Sequence, residues 1–186
     1  NNKLKKYKTN FIPLDSEHFS IWSLIKNSNH KMISKIYLTA SGGPFLNKSK
    51  SKIRNAKITD VINHPNWNMG HKISVDSATL MNKLFELIEA SKIFNLPMNK
   101  FDVIIHPKSY IHALVNFKNG LSKILVHDTQ MEIPIFNSIF YQTSETYKKN
   151  KDINFQNLNG KNFIKPSDST FPLLKLIKEY TRNDSY

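Results

Sequence analysis

Apolar positions recur along this chain with two periods, and the switches between them mark its elements. After a Lys- and Asn-rich stretch at residues 1–10, Phe11-Ile-Pro-Leu14 forms a short apolar run, and Asp15-Ser16-Glu17 opens a helical pattern through Ile21, Trp22, Leu24 and Ile25. Acids at the positive end of a helix favour that start. Lys35-Ile-Tyr-Leu-Thr39 reads as a buried strand ending in Ala40-Ser41-Gly42-Gly43-Pro44. A strand that runs into a small, glycine-rich turn often presents backbone N–H groups to an anion. A second helix is predicted from near Asp76-Ser77, whose side chains can cap it, to about Asn95. Leu80, Leu84, Leu87 and Ile88 fall on one side of it, and Thr79, Asn82, Lys83 and Glu86 converge on the other.

Asp102-Val-Ile-Ile-His106 reads as another buried strand, followed by Pro107. Ile111 to Phe117, Lys118-Asn119-Gly120 and Leu121 to Asp128 make a hairpin, because Asn-Gly is the strongest short turn signal. Strands interleaved with helices predict an α/β fold: a mixed sheet with a hairpin and flanking helices, then a linker and the start of a helical domain. The expected divisions are a binding domain over 1–142, a polar, weakly periodic linker over 143–168, and a helical segment over 169–186. The chain starts at Asn1 and stops at Tyr186, just after an amphipathic run (Phe171, Leu173, Leu174, Leu176, Ile177) with little of its own to pack against. It reads as a piece of a larger protein.

Composition changes this picture in one respect. A formal net charge of +13 would suggest nucleic acid or an anionic membrane. The charge, however, is almost wholly lysine, with Arg54 and Arg182 the only arginines, and arginine is the usual reader of bases and phosphates. A Lys- and Asn-rich composition fits the codon bias of an AT-rich genome, so neither nucleic acid nor membrane is expected as a partner. The 186 residues suffice for one good core. Cysteine is absent, which excludes disulfide and thiol chemistry. No apolar run approaches the ~20 residues of a membrane span, and no targeting peptide is visible.

The candidate chemistry lies on the helices and turns. Asp15, Glu17 and Glu86 are the best metal ligands, since hard oxygen donors without cysteine suit Mg²⁺ or Mn²⁺. Taken singly, Asp15 and Glu17 also read as first-turn acids, and Glu86 as a solvated partner of Lys83. Ser41, Ser77, Asn82 and Lys83 supply the hydroxyl, amide and ammonium groups of a phosphate pocket; singly, Ser77 reads as an N-cap and Lys83 as a surface lysine. His64, Trp67 and Met69 sit in a loop rich in Pro, Asn and Gly, which suggests a lid over a ligand or packing beneath a long loop. His106, at a strand end, reads as a core or rim histidine.

Six ordered motifs carry a resemblance. They are Asp15-Ser-Glu-His18, Leu38-Thr-Ala-Ser-Gly-Gly-Pro-Phe45, His64-Pro-Asn-Trp-Asn-Met-Gly70, Lys72-Ile-Ser-Val-Asp-Ser-Ala-Thr79, Met81-Asn-Lys83 with Glu86, and Ile105-His-Pro107. Across residues 11–142 the chain resembles 1-deoxy-D-xylulose 5-phosphate reductoisomerase, and Phe171–Tyr180 resembles the start of that family's C-terminal helical domain. The resemblance implies an oxidoreductase of non-mevalonate isoprenoid synthesis that rearranges a phosphosugar and reduces it with NADPH, as a homodimer. It implies a metal on Asp15, Glu17 and Glu86, and substrate contacts from Ser16 and Glu17. Ser41, Ser77, Asn82 and Lys83 would hold the phosphate, and His64, Trp67 and Met69 would form the closing flap. Gly70 would approach the nicotinamide, while Glu17, Glu86, Lys83 and His64 are the catalytic candidates.

Two departures qualify it. Ala40 stands where the family's turn commonly has Gly, and no Gly-x-Gly-x-x-Gly turn occurs. The family's NADPH-binding domain is therefore expected to be absent, and the chain inactive by itself. Composition and pathway together suggest a plastid-like organelle such as an apicoplast. The competing readings are a phosphate- or nucleic-acid-binding module and a dimerisation unit acting through the strand after the hairpin.

Overall fold

The computed structural model describes residues 2–7, 9–62, 69–149, 154, 156, 158–159 and 162–183. A short helix α1 (Asn2–Tyr7) precedes α2 (Ser16–Ile25), whose N-terminus is capped by Asp15 accepting from the backbone N–H groups of Glu17 and His18. Phe19, Ile21 and Ile25 bury one side of α2. The chain then enters β1 (Ile33–Ala40), in which Ile33, Ile36, Leu38 and Ala40 are all buried.

β1 is an inner strand of a four-stranded sheet. It pairs in parallel with β2 (Phe101–Ile105) and antiparallel with β3 (Ile111–Phe117), which forms the hairpin with β4 (Ser122–Val126), giving the order β2-β1-β3-β4. The expected mixed sheet is therefore what forms. Gly120 closes the hairpin at φ +86°, a backbone region that favours glycine. Parallel strands need a long crossover, and here it holds α3 (Lys50–Arg54), α4 (Ile58–Ile62), α5 (His71–Thr79) and α6 (Met81–Phe94). Helix α2 lies on β3 and β4, whereas α6 lies along β1 and β2.

The crossover departs from expectation. The helix expected from Asp76-Ser77 starts at His71, behind Gly70, and breaks at Leu80, whose φ of +60° separates α5 from α6. Ser77 is thus in the last turn of α5 and is not an N-cap. Leu80 is only 2% exposed, and burial of its side chain offsets a conformation that is costly for a residue with a Cβ.

After β4 comes α7 (Glu132–Ile139), and the polar stretch beyond it touches the sheet through a bridge between Ile164 and Ile105. A 3₁₀ turn at Pro172–Leu174 leads into α8 (Lys175–Asn183). Phe171 is 1% exposed and joins the core made by Ile36, Leu38, Leu87 and Val103, with Leu174 beside it. This segment, expected to have little to pack against, closes over the main core. Among the described residues no helix is long and apolar enough to cross a membrane.

Candidate functional site

One end of the sheet collects the polar side chains. β1 ends there and turns through Ser41, Gly42 and Gly43; β2 ends there before His106; β3 begins there at Ile111-His112; and β4 ends there before His127. His106 N donates to the Ala40 carbonyl at 2.8 Å and His127 N to that of Tyr110 at 3.1 Å, which ties the strand ends together. Gly43, at φ +62°, lies against the last turn of α5: a Cβ on it would sit 3.1 Å from the Ala78 Cα and 3.1 Å from the Ser77 carbonyl oxygen. Glycine there lets Ser41, whose Oγ accepts from Gly43 N at 3.1 Å, approach the turn that carries Ser77.

Three carboxylates from two helices converge beside this end. Asp15, Glu17 and Glu86 each offer an oxygen, and the three lie within 4.8 Å of one another. The helix cap fixes Asp15, whose Oδ1 accepts from Glu17 N at 3.0 Å, His18 N at 3.1 Å and His18 Nδ1 at 3.1 Å. The same imidazole joins the two helices, since its Nε2 donates to the Glu86 carbonyl at 2.9 Å. Lys83 donates to Glu17 and, at 2.7 Å, to Glu86 Oε2; Asn82 donates to Glu86 Oε1, and Ser16 to Glu17 Oε2. Lys83 and Glu86 are 7% and 6% exposed, so the readings of a surface lysine and a solvated glutamate are both corrected. Their one-turn spacing on α6 puts both under α2.

Electrostatics follow from this crowding. Burial, then the charge of Glu17, pushes the Glu86 carboxyl up to about 8 against the pull of Lys83. Burial disfavours the charge on Lys83, but Glu17 and Glu86 outweigh it and hold the ammonium well above its usual range. Burial likewise opposes ionisation of Asp15 and His18, yet their mutual hydrogen bond and charges prevail, taking Asp15 down to about 2 and His18 up to about 9. Glu86 therefore carries the electrostatic cost of three neighbouring carboxyl groups, which a divalent cation relieves.

Other expected residues are placed less closely. Met69 is half-buried, and Gly70 is exposed just before α5, with open space where a Cβ would stand. His64 and Trp67 lie outside the described residues. The sequence pattern assigns no role to His18, His112 or His127. A signal was present for His112: a histidine in the apolar strand Ile111-His-Ala-Leu-Val115, where it is 2% exposed.

Acids, a lysine and hydroxyl groups gather outside the strand ends, the edge at which open α/β sheets bind their ligands. Residues 11–94 match the family described as 1-deoxy-D-xylulose 5-phosphate reductoisomerase C-terminal domain. The enzyme of that name from Pelagibacter ubique is 56% identical over 182 residues, covering 98% of this chain and 47% of that protein. The one from a Sulfurihydrogenibium species is 44% identical over 174 residues, covering 94% and 46%. Among solved structures, a reductoisomerase in complex with NADPH, fosmidomycin and magnesium superposes with a TM-score of 0.85 at 38% identity, over 97% of this chain and 47% of that one. The Zymomonas mobilis enzyme with NADPH gives 0.85 at 31% identity, over 98% and 46%. Residues 11–94 thus match that family's C-terminal domain, and the chain is similar over nearly all of its length to these reductoisomerases while spanning about half of theirs. Both named relatives are bacterial, which argues against the organellar setting suggested by composition.

Proposed function

We propose that the polypeptide carrying this chain is an NADPH-dependent oxidoreductase that rearranges and reduces 1-deoxy-D-xylulose 5-phosphate to 2-C-methyl-D-erythritol 4-phosphate, and that this chain supplies the metal and substrate site. The observation that carries the proposal is the convergence of the Asp15, Glu17 and Glu86 carboxylates within 4.8 Å, with Lys83 on two of them. Three hard oxygen donors suit Mg²⁺ or Mn²⁺. Such an ion polarises the substrate ketone and stabilises the oxyanion of the rearrangement.

The chain's own residues do the rest. Ser16 and Glu17 contact the substrate near the reacting carbons. Lys83, neutralising Glu17 and Glu86 in the absence of ligand, turns to the substrate phosphate together with Asn82, Ser41 and Ser77, so remote binding energy orients the reacting end. His64, Trp67 and Met69 close over the ligand and keep water from the aldehyde intermediate. Gly70, with no side chain, admits the nicotinamide face; most of the NADPH is held by a domain other than this one. Residues 1–142 act as the metal and substrate domain and 143–168 as a linker, while 169–186, anchored on the same core by Phe171 and Leu174, form the first part of a helical domain.

A second copy is proposed to pair at the β4 edge, where Leu121 and Ile124 are exposed, with Met131 at the start of α7 and Ile135 and Ile139 on it forming an exposed stripe. Sedimentation of Ile124→Lys should then shift from dimer to monomer. The main test is a calorimetric titration with fosmidomycin, with and without Mg²⁺ or Mn²⁺. Metal-dependent binding that disappears in Glu86→Gln is the expected result, and a folded protein that binds nothing overturns the proposal.

A further inference from the structure

Two histidines at the sheet end have no part in the reaction outlined above. The rings of His112 and His127 stack with centroids 3.6 Å apart and planes 9° from parallel. His112 Nε2 donates to the His127 carbonyl at 3.1 Å, and His127 Nδ1 donates to the Asp128 carbonyl at 2.7 Å. A carbonyl can only accept, so each of those nitrogens carries its ring's proton. Burial, then the facing ring, lowers His112 to about 3, and burial lowers His127 as well. Both rings are therefore neutral. His127 keeps a lone pair on Nε2, and that atom is buried with no hydrogen-bond partner among the described residues. Buried acceptors are paired in nearly all native structures, so this one calls for a donor.

Its position points to the donor. Lys123 Nζ donates to the Leu24 carbonyl at 3.2 Å and to Ser28 Oγ at 3.1 Å, fixing the start of β4 at the C-terminal end of α2. Along α2, Glu17 lies about 10 Å before Leu24 at ~1.5 Å per residue. Along β4, His127 lies about 13 Å beyond Lys123 at ~3.3 Å per residue. Helix and strand pack together, so His127 comes under the helix start that carries Asp15, Ser16 and Glu17, and its ring feels the charge of Glu17.

We infer that His127 is a substrate-binding residue whose Nε2 accepts a hydrogen bond from a hydroxyl of the sugar phosphate held at the carboxylates. The inference rests on the function proposed above. In 1-deoxy-D-xylulose 5-phosphate, the ketone and the C3 hydroxyl form the chelating pair, and the C5 phosphate goes to the lysine, serine and asparagine donors. The C4 hydroxyl is the donor left for His127. His112 stacks on the imidazole and holds the His127 backbone, while the Asp128 carbonyl fixes the His127 tautomer.

The test compares two ligands on the polypeptide as encoded by its gene. His127→Phe keeps a flat ring over His112 but has no acceptor, whereas His127→Gln restores an acceptor oxygen. Loss of one hydrogen bond should raise KM for the substrate about tenfold in His127→Phe, and His127→Gln should recover most of it. The affinity for fosmidomycin, a phosphonate hydroxamate with no hydroxyl on its linker, should stay within about twofold of wild type by the same reasoning. An unchanged KM, or equal weakening of both ligands, overturns the inference while leaving the proposed function in place. A wild-type protein that binds no fosmidomycin with Mg²⁺ overturns both.

Discussion

Lys83 and Glu86 stand one helical turn apart on α6, and burial changes what such a pair means. On a helix surface it would contribute a few tenths of a kcal/mol. Here both are nearly inaccessible and share Glu17, so removing the cation leaves acids without their counter-charge. Lys83→Met should lower stability by about 3 kcal/mol in metal-free buffer, measured by urea unfolding, and added Mg²⁺ should restore part of the loss. The histidines predict the pH dependence. His18, raised to about 9, contributes stability in full below its unfolded pKa of 6.5, and this is lost as pH rises through 9. His112, lowered to about 3, contributes above 6.5, and its contribution falls away as pH drops towards 3. The two histidine contributions are therefore both complete only near pH 6.5, and Glu86, raised to about 8, adds a loss of stability as pH rises from 4.5 towards 8. His112→Phe should flatten the acid limb by up to about 1.4 kcal/mol per pH unit and leave the alkaline limb unchanged.

Among the elements, the ones legible in the sequence carry their instructions locally. Asp15 caps α2, and the alternation on either side of Asn119-Gly120 sets the β3–β4 hairpin; both form as read. The α5–α6 boundary departs from the sequence pattern because Gly70 caps α5 with no side-chain bond, while Asp76-Ser77 imitate a cap inside the helix. Nothing local asks Leu80 to adopt φ +60°; the core that takes its side chain does. The Gly42-Gly43 turn after β1 was legible as a turn, but its closeness to Ser77 was not, since the two are separated by most of the crossover. Gly43→Ala combines a positive φ with contacts of 3.1 Å to Ala78 and Ser77. It should cost about 2 kcal/mol and weaken phosphonate binding in titration, because Ser41 and Ser77 would be pushed apart.

In the whole molecule, α2, α6 and the 171–180 segment close on the same core, so the C-terminal stretch belongs to one cooperative unit with the sheet. Phe171→Ala should lower the stability of the entire chain by about 3 kcal/mol or more, in a single unfolding transition common to fluorescence and circular dichroism. Ligation acts at the same scale: Mg²⁺ at about a hundred times its dissociation constant should add about 2.7 kcal/mol, an increment that Glu86→Gln abolishes. The sequence by itself determined the strand and helix periods, the hairpin, the cap at Asp15, and which acids, hydroxyls, amides and lysine stand as candidates, because these depend on neighbours within a few residues. Tertiary structure alone decided that the carboxylates of Glu17 and Glu86, far apart in the chain, lie side by side, that Lys83 is buried between them, and that His112 and His127 stack at the same sheet end. Those outcomes depend on which helix crosses which strand, and the energy that fixes them comes from burying groups whose partners lie on other elements.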